Sequence, residues 1–177
     1  MNTGRAVSTW RVALLLLVFS SILWLGGVHF RILMGNDLLQ WGTLEFEDLI
    51  PPEAEREVYR LISVASAVIL PAYAVTLLSG TLFLITAPYR LKEHGWLMMS
   101  AILFYLFVPV EAFTMTLDVR MLYHEFFTTS DTRVFRELFL ARAGALHGAP
   151  FVALVGYYTI IVLVVLQPLK RVEARAA

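Results

Sequence analysis

Four stretches of this chain carry almost no charge, and each is long enough to cross a membrane. They run from Val12 to Phe30, Leu61 to Tyr89, Gly95 to Leu117 and Ala143 to Leu169. Their only ionisable residues apart from tyrosine are His29 in the first, Glu111 in the third and His147 in the fourth. A helix needs about 20 apolar residues to cross a hydrocarbon layer of roughly 30 Å, whereas membrane strands are short and alternate in polarity. The pattern therefore predicts an all-α fold, an integral membrane four-helix bundle forming one transmembrane domain over residues 1–177. Its spans are expected at about 12–34, 58–87, 95–122 and 138–167, with outer loops at 35–57 and 123–137.

Composition agrees with that solvent: 59% of the 177 residues are hydrophobic and 16% charged, where soluble domains carry about 25% charge. With 14 basic and 14 acidic residues there is no net attraction to nucleic acid, and no basic patch is interleaved with aromatics. The absence of cysteine excludes disulfides, iron–sulfur clusters and thiolate metal sites. No Ala-x-Ala cleavage pattern follows the first apolar run, so that run is read as a span and not as a removed signal.

Charge is distributed unevenly between the two sides. Arg5, Arg11, Arg90, Lys92, Lys170, Arg171 and Arg175 fall on the side of the termini against Glu93 and Glu173, while the other side holds Arg56, Arg133 and Arg136 among Asp37, Glu45, Glu47, Asp48, Glu53, Glu55, Glu57, Glu125, Asp131 and Glu137. The positive-inside rule then places both termini in the cytoplasm of an inner-membrane protein. Arg31, Arg60, Arg120 and Arg142 fall at the outer helix ends and are read as snorkelling or paired. The stretch 38–50, which mixes acids with Trp41, Phe46 and leucines, is expected to lie along the outer interface as an amphipathic segment, or else to be an irregular loop.

An ionised group inside hydrocarbon asks for a partner or a cavity. Counted at about 1.5 Å per residue from the outer helix ends, Glu111 is expected about 16 Å deep, His147 about 15 Å and His29 about 7 Å. Glu111 shares one helix face with Thr114 and Asp118. A polar pocket is therefore expected from Glu111, Asp118, Arg60 and Arg142, with His29 and His147 as candidate cofactor ligands to haem b or copper. Gly144 and Gly148 clear space beside His147, either for a flat ligand or for a neighbouring helix. Ser63, Ser66, Tyr73 and Gly80 form a polar seam at near-heptad spacing on the second span. Pro71, Pro109 and Pro150 are expected as mid-span kinks, which free the carbonyls of Ala67, Tyr105 and Leu146.

The run Leu23-Trp-Leu-Gly-Gly27 resembles the Trp-x-Gly-Gly signature of small bacterial membrane proteins related to the copper-resistance D type. Arg142-Ala-Gly-Ala-Leu-His147 is similar to the Arg…His entry to a late helix in the same proteins. The resemblance implies copper handling at a membrane.

No phosphate-binding glycine loop, nucleophile elbow or His-Glu-x-x-His motif is present. The sequence is accordingly read as a non-catalytic binding or accessory subunit within the lipid bilayer, with membrane-protein partners or further copies of itself. The alternatives are a purely structural subunit of a larger complex and a small ion-coupled transporter. The charge asymmetry makes a direct prediction: a reporter active only outside the cytoplasm should work when fused near Glu47 or Ser130 and stay silent near Lys92 or the C-terminus. Activity at Lys92 would reverse the orientation.

Overall fold

A computed structural model describes residues 8–40, 43–47, 49–128 and 131–168. It is helical, with α1 at Thr9–Asn36, α2 at Pro52–Thr86, α3 at Gly95–Phe127, α4 at Thr132–Ala143 and α5 at Ala149–Leu166. A 3-10 turn, Ala145–Gly148, separates α4 from α5. Four helical stretches are long and apolar enough to cross a membrane: α1, α2, α3, and α4 with α5 taken together. The chain divides into two compact units, one from residues up to 87 with 115–143, the other from 88–114 with residues from 144 onward.

In the first unit, α1 packs antiparallel along α2. Leu17 meets Gly80, Ser20 meets Thr76, Trp24 meets Tyr73, Gly27 meets Ile69 and Arg31 meets Ser66. On each helix these positions advance by alternating steps of three and four residues, the spacing of a coiled-coil seam. Large faces small at two of these contacts, where Leu17 lies over Gly80 and the side chain of Ile69 fills the space above Gly27. That arrangement suits a bilayer, where helices associate through close contact of small residues and not by escaping water. The hydroxyls on the seam cost little, because Ser20, Ser66 and Thr76 bond back to carbonyls of their own helices.

Beyond Arg31 the unit changes character. Leu38, Tyr59, Ile62, Met121, Phe135 and Phe139 form a buried apolar cluster. The α4 helix is amphipathic: Phe135 and Phe139, four residues apart, are buried, while Arg133, Arg136 and Glu137 are exposed. Gly35 lets α1 approach this helix, since a Cβ there would stand 3.0 Å from the Phe139 ring. Proline at the first position and Glu53 and Glu55 in the first turn start α2, because proline lacks an N–H that would go unused there and acids favour a helix N-terminus. The described residues of the 38–50 stretch form no helix and are held by one short pairing. Leu39 and Phe46 form an antiparallel bridge, closed by bonds from Glu47 N to Leu38 O (3.0 Å) and from Gln40 N to Glu45 O (2.9 Å). Leu38 is thereby buried at 1% exposure in the cluster. Trp41 lies outside the described residues.

In the second unit, Phe107 on α3 packs over Gly156 of α5, and the Tyr157 ring sits between Phe104 and Phe107 at 6.3 and 5.9 Å. The expected continuous fourth span is interrupted. Leu146, His147 and Gly148 have φ values of 50°, 54° and 89°, a left-handed run that ends one helix and starts another. Only the glycine adopts this conformation without steric cost. Pro150 consequently stands in the first turn of α5 and not at mid-helix, where its missing N–H breaks no bond. The Leu146 carbonyl, expected to be freed by that proline, accepts from Ala149 N–H.

The seam makes neighbouring glycines unequal. A Cβ at Gly27 would fall 2.6 Å from Ile69 Cγ1, whereas one at Gly26 would meet nothing within 4 Å. Gly27→Ala should therefore destabilise the protein by about 1–3 kcal/mol in a detergent unfolding assay. Gly26→Ala should be neutral, and Ile69→Ala should relieve part of the Gly27→Ala defect in the double variant.

Candidate functional site: a carboxylate held by two arginines

The most deeply buried charge in the first unit is Asp118 on α3, at 1% exposure. Each of its oxygens meets a different guanidinium: Arg31 Nη1 lies 2.6 Å from Oδ2 and Arg142 Nε 2.9 Å from Oδ1. Arg31 also reaches Ser66 Oγ at 3.4 Å. The cluster thus joins α1, α2, α3 and α4. Removing one member of a buried ion pair strands the other, which makes such a group far more sensitive to deletion than a surface pair.

A second cluster stands farther along the same unit. Glu55, 4% exposed, accepts from Arg136 through both oxygens at 2.6 and 2.8 Å, and from the Tyr59 hydroxyl at 2.5 Å. The two-pronged guanidinium contact fixes direction as well as charge. Tyr59 stacks on Phe135 at 4.2 Å, and the Arg136 guanidinium lies 4.7 Å above the Phe46 ring. One charged knot therefore pins α4, the start of α2 and Phe46 together.

Of the residues read from the sequence as a pocket, Asp118 and Arg142 meet directly, while Arg60 is exposed and pairs with Glu57 at 2.9 Å. Glu111 belongs to the second unit, where the Tyr157 hydroxyl donates to its Oε1 at 3.2 Å. Glu111, Thr114 and Asp118 are all buried, at 9%, 1% and 1%, as one face of α3 requires. His29, in the first unit, is half-buried, with Nδ1 2.7 Å from the carbonyl of Leu25. His147, in the second, is exposed on the left-handed turn. His94 contacts Tyr89 and Trp96 edge-on, and His124 bridges Thr128 and the Asp131 carbonyl in the turn before α4. Among the described residues, no group of three or more His, Asp or Glu is placed to hold a metal ion.

Arg31, Ser66, Glu55, Tyr59 and Arg136 were not singled out from the sequence as site residues. A signal for Arg31 did exist: it continues the step of three and four residues that links Trp24 and Gly27, so it belongs to the helix contact and not to the lipid face. Arg136 and Glu55 are 81 residues apart, and no local pattern joins them. The chain matches no protein-family model, curated protein or solved structure in the comparisons made.

The two classes of ion pair predict different sensitivities. Asp118→Leu should lower stability by about 3–5 kcal/mol, because it leaves two guanidiniums facing each other without a counter-charge. Arg60→Leu, at an exposed pair, should leave the detergent unfolding midpoint unchanged. Equal effects from the two substitutions would mean that water reaches Asp118.

Proposed function

We propose that this chain is a multi-pass inner-membrane protein, with both termini cytoplasmic, that acts as a non-catalytic binding or accessory subunit. Its working centre on this reading is the Arg31–Asp118–Arg142 cluster. The carrying observation is that Asp118 holds two guanidiniums from two different helices at 1% exposure. Lengths support the placement. The 35 residues of α2 extend about 52 Å, some 20 Å beyond the hydrocarbon layer. Ser66, the α2 residue that Arg31 touches, stands about 30 Å from the Thr86 end, a length that fits the cluster at headgroup level. The knot of Glu55, Tyr59 and Arg136 then lies in a cap outside the bilayer, where an amphipathic α4 is at home. The 18 residues of α5 extend about 27 Å and suffice to cross on their own. On the same reading His147 sits at the membrane surface and not about 15 Å deep, and water can satisfy the open backbone of the turn.

The reading has two direct tests. Because the chain has no cysteine, single cysteines report exposure cleanly. A membrane-impermeant maleimide should label Glu53→Cys, Thr132→Cys and His147→Cys, but not Val162→Cys, in intact membranes. After gentle solubilisation the wild-type chain should migrate in native gels as an assembly larger than its 20.0 kDa plus detergent, and Asp118→Asn should release it as a monomer. A wild-type monomer that carries no bound molecule would count against the accessory role.

A second reading, as a haem or copper protein, draws on His147: its imidazole is exposed on a left-handed turn and makes no hydrogen bond to the described residues. Strained, accessible side chains of this kind gather at functional sites. A reduced-state haem band or stoichiometric copper in the purified protein, lost in His147→Ala and kept in His94→Ala, is the expected signature. A colourless, metal-free protein from cells supplied with both removes this reading.

A further inference from the structure

Arg142 is only partly used by the ion cluster it belongs to. Its Nε donates to Asp118, no bond from its two terminal nitrogens to a described residue is seen, and its side chain keeps 16% exposure, so these nitrogens are not among the buried atoms without a partner. A guanidinium presents its donors as a planar fork that fits two oxygens of a carboxylate or phosphate. Here one edge of the fork is fixed by Asp118, so the other end is held in a defined direction at little further entropic cost. A second donor in the unit is also unspent. Ser63 is completely buried and its hydroxyl has no hydrogen-bond partner, whereas Ser20, Ser66, Ser79 and Ser100 all bond back to carbonyls of their own helices. Ser63 stands one turn from Ser66, on the face of α2 that Arg31 touches.

We propose that the Arg31–Asp118–Arg142 cluster is an oxyanion-binding site in which Asp118 orients Arg142 and the terminal nitrogens of Arg142 grip a phosphate or carboxylate group. This rests on the reading of that cluster as the working centre and adds the class of ligand it takes. The shared chemistry is an oxyanion, supplied either by the headgroup of an anionic phospholipid or by a free anion. The headgroup level reached by Ser66 on α2 puts lipid phosphates within the same layer.

The experiment uses the whole protein in detergent, with chloride holding the ionic strength constant. Phosphatidylglycerol, phosphatidylcholine and inorganic phosphate are titrated separately, and the melting temperature is followed. The expected result is a saturable rise with phosphatidylglycerol and none with phosphatidylcholine. A rise with inorganic phosphate as well identifies a free oxyanion as sufficient. Arg142→Lys keeps the charge but not the fork, and should weaken the apparent affinity at least about tenfold, the loss of roughly 1.4 kcal/mol; Arg120→Gln, at an exposed arginine outside the cluster, should leave it unchanged. Should Arg142→Lys fail to fold, the wild-type chain still decides the matter: the active anion must protect Arg142 from phenylglyoxal, read by peptide mass spectrometry. No rise above chloride, or a rise without protection of Arg142, overturns the proposal. An assembly that still depends on Asp118 while no anion acts would overturn the ligand class alone, and an assembly indifferent to Asp118 would overturn the underlying reading.

Discussion

A carboxylate removed from water must be compensated on the spot, and that requirement at Asp118 constrains the whole first unit. One arginine would neutralise it. Two arginines, one per oxygen, also fix the orientation of the carboxyl and tie together the helices that carry them. Arg31 reaches Asp118 only because α1 runs antiparallel to α2 in a register that puts Arg31 opposite Ser66. Arg142 reaches it only because α4 turns back after α3 and lays Phe135 and Phe139 on the cluster of Leu38, Tyr59, Ile62 and Met121. A slip of one residue in the α1–α2 seam would turn Arg31 away and bring Gly27 out of line with Ile69. Charge and packing thus specify the same register.

The two halves of this unit solve different solvent problems. Along the seam, helices have no hydrophobic reason to associate if lipid surrounds them, so contact depends on shape: glycine under isoleucine, tryptophan against tyrosine, hydroxyls turned back on their own backbones. Past Arg31 the logic is that of a water-soluble core, with aromatics and leucines inside and, Glu55 apart, arginines and glutamates such as Arg60, Glu57, Arg133 and Glu137 outside. The Glu55–Arg136–Tyr59 knot belongs to this second regime. It stitches α4, which is too short and too polar to hold its place alone, onto the start of α2.

The number and type of the long helices were legible in the sequence, because uncharged runs of that length leave the backbone no other way to satisfy its own polar groups. So was the buried face of α3 through Glu111, Thr114 and Asp118, since helical periodicity alone puts those residues in line. The Ser63, Ser66, Tyr73 and Gly80 stripe was visible as well, but not the helix against which it packs. The break at 144–148 was hidden for a definite reason: hydropathy measures side-chain transfer, and Ala143 to Leu169 stays apolar throughout while the backbone changes hand at Leu146. Pro150 was a clue open to two interpretations. A proline marks either a kink within a helix or the first turn of a new one, and the glycine at 148 decides for the second.

The pairing of Asp118 was harder to read. The sequence offered four arginines near the outer helix ends, Arg31, Arg60, Arg120 and Arg142, with nothing local to rank them. What ranks them is position relative to the packed faces. Arg31 falls on the seam and Arg142 closes the last turn of the helix whose phenylalanines are buried, while Arg60 follows Tyr59 by one residue and so points away from the face that Tyr59 buries. Arg60 then takes the neighbour its own helix supplies, Glu57, three residues back. An arginine beside a membrane is bound to a specific partner when its helix buries the face it stands on, and left to solvent or headgroups when it does not. Arg142 stands between the two cases, with its Nε on Asp118 and its side chain 16% exposed.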